Sequence, residues 1–382
     1  MRVVLLFVAF SVAICETNWA WAQSKGEATG PAFSEQEIRD GWILLFDGKT
    51  TFGWESGSAG DLTVVDGALR TGGGAPLVNR PTFAKAQLSL DVKGRGEVFL
   101  WNVLDSPTEE GMAKGLRIEF DSRKEWQTIA IQAGGGPSKV AVGKKSMDVA
   151  TTPAAWRLVL SGKKGASFRD IKLKPVDMTS LFNGKDLTGW RKVEQPSPKG
   201  ERLLAQRWLV KDGLLHTDVP PIDGVTKGGR GYLETVTLHD NFLLQLDVRT
   251  NGKHLNSGVF FRNQPKIPAI GYEAQIRHQW EGDDRTKPVD YGTGGIYRRV
   301  PTRRVVGDDM TFVTMTVLAH GRYVGVWVEG QQVSSWTDPR PENANPRLGY
   351  SGSAGTISLQ CHDPTTDIDF RSLRIAPIPI AK

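Results

Sequence analysis

Cysteine is scarce in this chain of 382 residues, which contains only Cys15 and Cys361. Cys15 lies in an N-terminal segment that is expected to be removed, so one thiol remains and an intrachain disulfide is excluded. Histidine is also scarce, and none of the six is spaced closely enough to another to form a metal-ligand motif. Stability therefore has to come from burial of apolar surface, which suits a large domain rich in β-strands.

Long apolar runs are missing except at the N-terminus, where residues 3–14 are largely apolar. The run precedes Ala20-Trp21-Ala22, a small-x-small cleavage sequence. Residues 1–22 are therefore predicted to be a signal peptide, and the protein is expected to be exported, to the periplasm or the medium. A membrane anchor would need about 20 apolar residues, and Glu16 interrupts the run. A lipoprotein signal at Cys15 is the second alternative, and no membrane insertion is expected after cleavage.

The charge balance argues against a nucleic-acid partner. Lysine and arginine number 48 against 42 aspartates and glutamates, and the excess is spread in short runs such as Arg298-Arg299. No basic stripe of the kind that follows a phosphate backbone stands out. The 43 glycines and 21 prolines also argue against an all-helical fold or a coiled coil.

Three segments occur twice, in the same order, which predicts two related units. Because the closing segment of the first unit ends at Pro175, we place the boundary after residue 176. We predict a signal peptide at 1–22, an N-terminal segment with a short helix at 23–40, a degenerate first domain at 41–176 and a second domain at 177–382. The pairs are LFDGKTTFGW (45–54) with LFNGKDLTGW (181–190), VVDGALRT (64–71) with LVKDGLLHT (209–217), and FRDIKLKP (168–175) with FRSLRIAP (370–377).

Strand signals dominate the rest of the chain. The only clear helix signal is the capping box at residues 34–37. Elsewhere apolar and polar residues alternate, and Asp66-Gly67 and Asp212-Gly213 each stand between alternating runs, as in β-hairpins. The sequence therefore predicts an all-β fold with two tandem antiparallel β-sandwiches of the jelly-roll type.

In the second unit the alternation places a polar set on one face of the strands, because successive side chains of a strand point to opposite faces. Amides, carboxylates and guanidinium groups beside an exposed tryptophan suit a sugar, which offers hydroxyl pairs and an apolar C–H face. The alternative is an ordinary solvated sheet face. The residues of this set are Asn256, Arg262, Glu273, Gln275, Arg277, Trp327, Glu329, Gln360 and His362.

The first unit does not repeat this set. Arg117 stands where the second unit has Glu273, and Glu119 stands where it has Gln275. The segment GEVFLWN at 96–102 replaces the Asn-Ser-Gly segment of the second unit. We therefore interpret the first unit as a degenerate copy with a packing or binding role.

No cofactor is evident from the sequence, and a divalent metal is left open. A metal held by residues from distant strands would leave no local spacing motif. The acidic loop residues Asp283, Asp284, Asp290, Asp308 and Asp309 are interpreted as solvated charges, with a calcium site among them as the alternative.

The second unit resembles the 3-keto-disaccharide hydrolase domain family. The resemblance rests on LFNGKDLTGW, WLVKDGLLHT, NSGVFFRN, GYEAQI, TGGIY, SLQCH and FRSLRI, and the first unit matches more thinly at its opening and closing motifs. The resemblance implies a concanavalin A-like jelly roll. Two departures are Cys361-His362-Asp363, where the family often has Asp-His-Gly, and an unusually charged run at 282–291.

The same resemblance implies cleavage of glycosides whose sugar carries a ketone at C3. Such a ketone acidifies the C2 proton, a base removes it, the C1 aglycone leaves, and water adds afterwards. Glu273 or His362 would be the base, and we favour His362 with Glu273 as its binding or orienting partner. Arg262, Arg277 or Gln275 would hold the enolate oxygen. Asn256, Trp327 and Gln360 would position the ring.

Two other functions fit the same residues. A non-catalytic, lectin-like carbohydrate-binding protein shares this architecture, because fold does not fix function. A conventional glycosidase would use Glu273 and Glu329 as its two carboxylates, which must lie about 5 Å or about 6.5–9.5 Å apart. All three functions have a carbohydrate as partner, and the oligomeric state is not predicted.

Overall fold

The computed structural model describes residues 33–57, 61–104, 115–194 and 203–380. The predicted signal peptide at 1–22 lies outside these ranges. The described residues form two compact units, the first mainly residues 44–176 and the second residues 35–43 together with 177–378. Within the described ranges no helix is long and apolar enough to cross a membrane.

The short helix predicted near the N-terminus is present as α1 (Glu35–Arg39). It and the residues up to Ile43 group with the second unit, although they precede the first unit in sequence. One contact that holds them there is the bond from Gln245 Nε2 to the carbonyl oxygen of Gly41, at 2.8 Å. Part of the outer surface of the second unit is therefore covered by chain from far away in sequence.

The first unit is built from antiparallel strands joined in one eleven-stranded sheet, with β2-β5-β10-β6-β11-β4-β3 as its main path. The strands are β1 (Ile43–Leu44), β2 (Trp54–Ser56), β3 (Leu62–Val65), β4 (Ala68–Thr71), β5 (Leu77–Asn79), β6 (Ala86–Asn102), β7 (Gly115–Ala133), β8 (Ser138–Val142), β9 (Lys145–Val149), β10 (Trp156–Gly162) and β11 (Ser167–Pro175).

The long strands β6 and β7 allow this sheet to bend. β6 pairs with β11 over its first half and with β10 over its second half, while β7 follows it along both halves. The β6–β7 register shifts between Val92 and Gly94, and Gly94 has a φ of 103°. A Cβ at Gly94 would also lie 3.0 Å from the Cα of Ala166. Only glycine tolerates both conditions, so the sequence fixes the bend at this position.

The second unit is a sandwich of two antiparallel sheets. Eight strands form one sheet, with β14-β15-β24-β17-β20-β21-β22 in order and β12 beside β24, and five form the other in the order β13-β16-β23-β18-β19. The strands are β12 (Thr179–Ser180), β13 (Trp190–Glu194), β14 (Arg207–Lys211), β15 (Leu214–Asp218), β16 (Gly231–Thr235), β17 (Phe242–Thr250), β18 (Ser257–Asn263), β19 (Tyr272–Ile276), β20 (Val313–His320), β21 (Tyr323–Val328), β22 (Gln331–Thr337), β23 (Thr356–Cys361) and β24 (Asp367–Pro377).

The core of the second unit lies between its two sheets. Alternate residues of β18, β19 and β23 enter it from the five-stranded sheet, and alternate residues of β17 and β21 enter it from the eight-stranded sheet. Cys361 is one of these core residues and is a free, buried thiol. Because every second residue of the five-stranded sheet is committed to the core, the residues between them occupy its outer face.

The repeated opening motif folds alike in both units. Trp54 Nε1 donates to the carbonyl oxygen of Leu45 at 2.6 Å, and Trp190 Nε1 donates to that of Leu181 at 2.7 Å. In each motif the residue after the phenylalanine, Asp47 or Asn183, accepts two backbone N–H bonds and closes a turn. The sequence similarity therefore corresponds to the same local structure.

The other repeated segments also correspond. The turns at 66–67 and 212–213 are two-residue hairpin loops with positive φ at both positions. Each closing strand has a bulge whose residue is left-handed, Asp170 in β11 and Ser372 in β24. The predicted all-β, antiparallel architecture is confirmed. That the first unit is a second copy of the same jelly roll stays a prediction, because its strands form one continuous sheet.

Candidate active site

The outer face of the five-stranded sheet carries the polar residues that the alternation predicted there. Ala274 and Ile276 of β19 and Leu359 of β23 point into the core. Glu273 and Gln275 therefore lie on the outer face of β19, and Gln360 lies on the outer face of β23. His362 follows the end of β23, and Asn256 precedes the start of β18. These five residues form the candidate active site.

Glu273 is a buried carboxyl group, with 4% of its surface exposed. Arg347 Nη2 lies 3.0 Å from its Oε2 atom. Burial raises the pKa of Glu273 to about 7, against the opposing effect of Arg347 and of the nearby His362. A side chain at Gly258, on the adjacent strand, would lie 2.6 Å from Glu273 Oε1. Glycine at that position therefore makes the room that the carboxyl group occupies.

Asp290 joins the amides of the site. Its Oδ2 atom accepts bonds from Asn256 Nδ2 at 3.0 Å and from Gln275 Nε2 at 2.9 Å. Its backbone has a φ of 49° and its carbonyl oxygen accepts a further bond from Gln275. Interpreting Asp290 as a solvated loop charge was wrong. Its position in the charged run at 282–291 gave no local signal of this contact.

His362 is held by the residue that follows it. Its Nδ1 atom lies 2.8 Å from Asp363 Oδ2, and this bond is the main cause of a strongly lowered pKa of Asp363. An ionised Asp363 accepts a hydrogen bond from Nδ1–H, so the lone pair of the neutral ring lies on Nε2. That atom is 3.5 Å from Asn256 Nδ2, and 29% of the His362 side chain is exposed. Nε2 therefore faces the amide of Asn256, and the ring as a whole is partly exposed.

Three buried amide oxygens in the site have no hydrogen-bond partner among the described residues. They are Asn256 Oδ1, Gln275 Oε1 and Gln360 Oε1. The nitrogen of each of these amides does have a hydrogen-bond partner. Gln360 Nε2 donates to the hydroxyl of Tyr232, and the amide nitrogens of Asn256 and Gln275 donate to Asp290. Buried acceptors without donors are costly. A ligand with several hydroxyl groups, or a hard cation, would satisfy them.

Arg262 does not belong to this group, contrary to the sequence prediction. It is 2% exposed and has a φ of 47° at the bulge in β18, which ends the alternation there. Its guanidinium donates to the carbonyl oxygens of Asp240, Gly321 and Ser351. Arg262 therefore ties loops together and has no role in the site.

Arg277 lies just beyond the end of β19, where its guanidinium donates twice to Gln279 Oε1. Its backbone N–H donates to Thr293 Oγ1. It borders the segment that carries Asp290, and no described contact joins it to Glu273 or His362. The structure therefore places it at the edge of the site.

Trp327 is on the outer face of β21, as predicted, and yet it is completely buried. It pairs across the eight-stranded sheet with Thr316, which pairs with Gln245, the residue that contacts Gly41. The segment 35–43 thus lies against the same row of side chains. The exposed sugar platform predicted at Trp327 is wrong.

Glu329 also lies away from Glu273. It sits at the turn after β21, where its Oε1 atom accepts a bond from the backbone N–H of Thr314 at 2.5 Å. Burial raises its pKa, with Asp247 adding a smaller effect. Its neighbours Thr314 and Asp247 belong to the eight-stranded sheet, whereas Glu273 lies on the outer face of the five-stranded sheet. Because the core lies between the two sheets, Glu273 and Glu329 cannot act on one glycosidic bond. The two-carboxylate glycosidase is excluded for this pair.

The acidic loops have partners of their own. Asp308 binds Arg285, and Asp309 accepts bonds from Thr250 Oγ1 and the backbone N–H of His254. Among the residues that the structure describes, no group of three or more His, Cys, Asp and Glu side chains is placed to hold a metal ion. Three residues that the structure places at the site had no site role predicted from the sequence. They are Asp290 and Arg347, from loops, and Tyr232, from β16.

A family model for the 3-keto-alpha-glucoside-1,2-lyase-like domain matches residues 177–376. The match covers the whole candidate site and identifies this half of the chain as a carbohydrate-active domain. A comparison with curated protein sequences gave no match.

Solved structures similar to the chain include a putative glycosyl hydrolase from Parabacteroides distasonis, at 23% identity over 53% of this chain and 94% of that one, with a TM-score of 0.40. The carbohydrate-binding module CBM66 from Bacillus subtilis is 13% identical over 51% and 98%, with a TM-score of 0.30. A β-glucanase from Bacillus licheniformis is 13% identical over 52% and 96%, with a TM-score of 0.32. Likenesses at these TM-scores establish neither a substrate nor a reaction for this chain.

Proposed function

Because this chain belongs to the 3-keto-alpha-glucoside-1,2-lyase-like domain family, we propose that its second unit cleaves glycosides whose sugar carries a ketone at C3. The observation that supports this most directly is the pairing of two groups. Asp363 holds His362 so that the lone pair of the neutral ring lies on Nε2, and Glu273 nearby is a buried carboxyl whose pKa is raised to about 7. Elimination next to a ketone needs such a base and such an acid.

In the proposed reaction, His362 Nε2 takes the proton from C2. The electron pair of the C2–H bond forms a C2=C3 double bond and moves the C3=O pair onto the ketone oxygen, which gives an enolate. The enolate then reforms the ketone and makes a C1=C2 double bond as the C1–O bond breaks, and the leaving oxygen takes the proton of Glu273. Water then adds at C1, giving one proton to Glu273, while His362 returns its proton to C2. If the unsaturated sugar leaves before water adds, the enzyme is a lyase, and otherwise the net reaction is hydrolysis.

The negative charge that develops on the ketone oxygen requires a donor. The sequence predicted Arg262, Arg277 or Gln275, but Arg262 and the Gln275 amide nitrogen already have protein partners. We assign this role to Tyr232. Its hydroxyl accepts a bond from Gln360 Nε2 at 3.2 Å, and within the described ranges no acceptor takes the hydroxyl proton. Burial raises the pKa of Tyr232, which keeps this proton in place.

A divalent cation is the second candidate for the same role. The amide oxygens of Asn256 and Gln275 are of the type that hard cations bind, and both are buried without a partner in the described part of the chain. A chelator distinguishes the two. Activity that survives EDTA dialysis favours Tyr232, and activity that is lost and returns with added Mg²⁺, Mn²⁺ or Ca²⁺ favours the cation.

The test uses the full chain with a matched pair of substrates, a disaccharide and its 3-keto derivative, and measures release of the aglycone. We expect cleavage of the 3-keto substrate only. A lectin would bind the unoxidised sugar and release nothing, and cleavage of the unoxidised sugar at a similar rate would contradict the proposal.

The variants His362→Ala and Glu273→Gln are each expected to lower kcat at least about 10²-fold. The matched control is His216→Ala, because His216 forms the same kind of pair with Asp369, at 2.8 Å, on the eight-stranded sheet. Near wild-type rates in both site variants, shown to be folded by circular dichroism, would refute these roles.

A further inference from the structure

The first unit contains a cleft of about 720 Å³ on the β6–β7–β10 face. Its walls include the aromatic rings of Phe99 and Trp101 and the charged residues Glu97, Arg117 and Glu119. Arg117 lies 4.0 Å over the Phe99 ring and 2.9 Å from Glu97 Oε2. The proposed function of the second unit does not use this cleft.

Strand register places the cleft at the position that corresponds to the candidate active site. In the second unit Phe260 is paired with Glu273, and Gly258 with Gln275. In the first unit Phe99 is paired with Arg117, and Glu97 with Glu119. The sequence alignment of Arg117 with Glu273 is thus reproduced by the pairing of the strands. Phe99 corresponds to Phe260, and each ring has an arginine over it.

The third strand extends the correspondence to the catalytic residues. Phe260 faces Ser358 on β23, and Phe99 faces Val159 on β10. Val159 therefore corresponds to Ser358. Two residues further along each strand Ser161 corresponds to Gln360, and four residues further Lys163 corresponds to His362. Ser161 and Lys163 both line the cleft. The face therefore keeps its strand register and a polar lining, while a lysine, which offers donors only, replaces the proposed base.

The chemistry of the cleft indicates a neutral ligand. Three cationic residues (Arg95, Arg117 and Lys163) are balanced by three anionic ones (Glu97, Glu119 and Asp121). Trp101 adds an apolar ring, and its Nε1–H is buried without a hydrogen-bond partner among the described residues. Balanced charges can exchange hydrogen bonds with hydroxyl groups without attracting a net charge. Together with the aromatic ring and the Nε1–H donor of Trp101, they fit a saccharide better than an ionic ligand.

We propose that the first unit is a non-catalytic binding site for a neutral saccharide, seated against Trp101 and Phe99 and held by Glu97, Arg117 and Glu119. This site is distinct from the proposed reaction in the second unit and does not depend on it.

The experiment measures binding of unoxidised maltose, cellobiose and trehalose to the full chain by isothermal titration calorimetry. It is done in the Glu273→Gln background, so that turnover in the second unit does not contribute. We expect one of these sugars to bind, and Trp101→Ala to weaken its binding at least about tenfold. Trp126→Ala is the matched control, because Trp126 is a half-buried tryptophan of the neighbouring strand β7, outside the cleft and stacked under Arg169.

Glu119→Gln is a second variant, which keeps the shape of the cleft if Trp101→Ala fails to fold, and it is expected to weaken binding without lowering the melting temperature. No binding of the three sugars up to 10 mM, equal affinity in Trp101→Ala and Trp126→Ala, or tighter binding of di-galacturonate than of the neutral sugars would overturn the proposal. Trp101→Ala in the otherwise wild-type chain is expected to cleave the 3-keto substrate at the wild-type rate, because the substitution lies in the first unit. Binding of neutral sugars and cleavage of the 3-keto substrate are therefore tested separately, and either proposal can fail without the other.

Discussion

The protonation of Glu273 should make the stability of the second unit depend on pH in a predictable direction. Its pKa rises from the ordinary 4.5 to about 7 on folding, because burial disfavours the ionised form. The folded state therefore holds this proton more tightly than the unfolded state. The stabilisation is complete below pH 4.5 and is lost as the pH rises through 7. A rise of this size corresponds to about 3 kcal/mol at most.

The perturbation that tests this is Glu273→Gln, which keeps the shape of the side chain and cannot ionise. The substitution also weakens the contact with Arg347, and that effect is present at every pH. The informative quantity is therefore how the difference in melting temperature between the variant and the wild type changes with pH. Between pH 5 and pH 8.5 about 2.5 kcal/mol of this stabilisation is lost. At roughly 2–4 °C per kcal/mol for a unit of this size, the melting temperature of the variant should gain roughly 5–10 °C on the wild type over that range.

The assay is differential scanning calorimetry of the full chain at both pH values, with the transition of the second unit identified as the one that the substitution moves. Glu342→Gln is the control, because it removes the same charge from an exposed position. If the difference in melting temperature between wild type and Glu273→Gln is the same at pH 5 and pH 8.5, the carboxyl ionises normally in the folded state. The acid role proposed for it would then have no basis.

Three further outcomes follow from the same structure. Activity on the 3-keto substrate should fall as the pH rises above 7 in the wild type, because Glu273 loses the proton that the leaving group needs; a rate that keeps rising to pH 9 would contradict this. Asp363→Asn should lower kcat at least about tenfold and leave KM nearly unchanged, because Asp363 positions His362 and does not contact the sugar, and a matching Asp369→Asn at the other His–Asp pair should leave kcat unaffected. Trp327→Ala should destabilise the protein by about 3–5 kcal/mol in denaturant titrations and leave kcat intact at 20 °C, whereas loss of activity in a folded variant would restore Trp327 to the site.

The local pattern of the chain was sufficient to predict the strands and one face of the site. Alternation of apolar and polar residues has a period of two, and so has the direction of side chains along a strand. That is why Glu273, Gln275 and Gln360 could be assigned to one surface before any coordinates were known. The Asp-Gly hairpins and the repeated motifs were equally readable, because each depends on contacts between residues fewer than ten positions apart.

Alternation could not tell which outer face would be covered. Trp327 obeys the pattern and is nevertheless buried, and Gln245, in register with it two strands away, contacts Gly41 of the distant segment 35–43. Arg262 departs from the pattern, because a bulge with positive φ turns the strand before its end. Both errors arise where a neighbour that is distant in sequence, or one irregular residue, decides the environment.

The sequence by itself thus determined the antiparallel β architecture and the residues that strands β18, β19 and β23 place on one face. Only the tertiary structure decided what these residues do. Asp290 and Arg347 reach the face from loops, and they fix the amides and the carboxyl group of Glu273. The physical reason is that a side chain's direction is a property of its own strand, whereas its pKa, its hydrogen-bond partners and its exposure depend on whatever segments the fold brings against it.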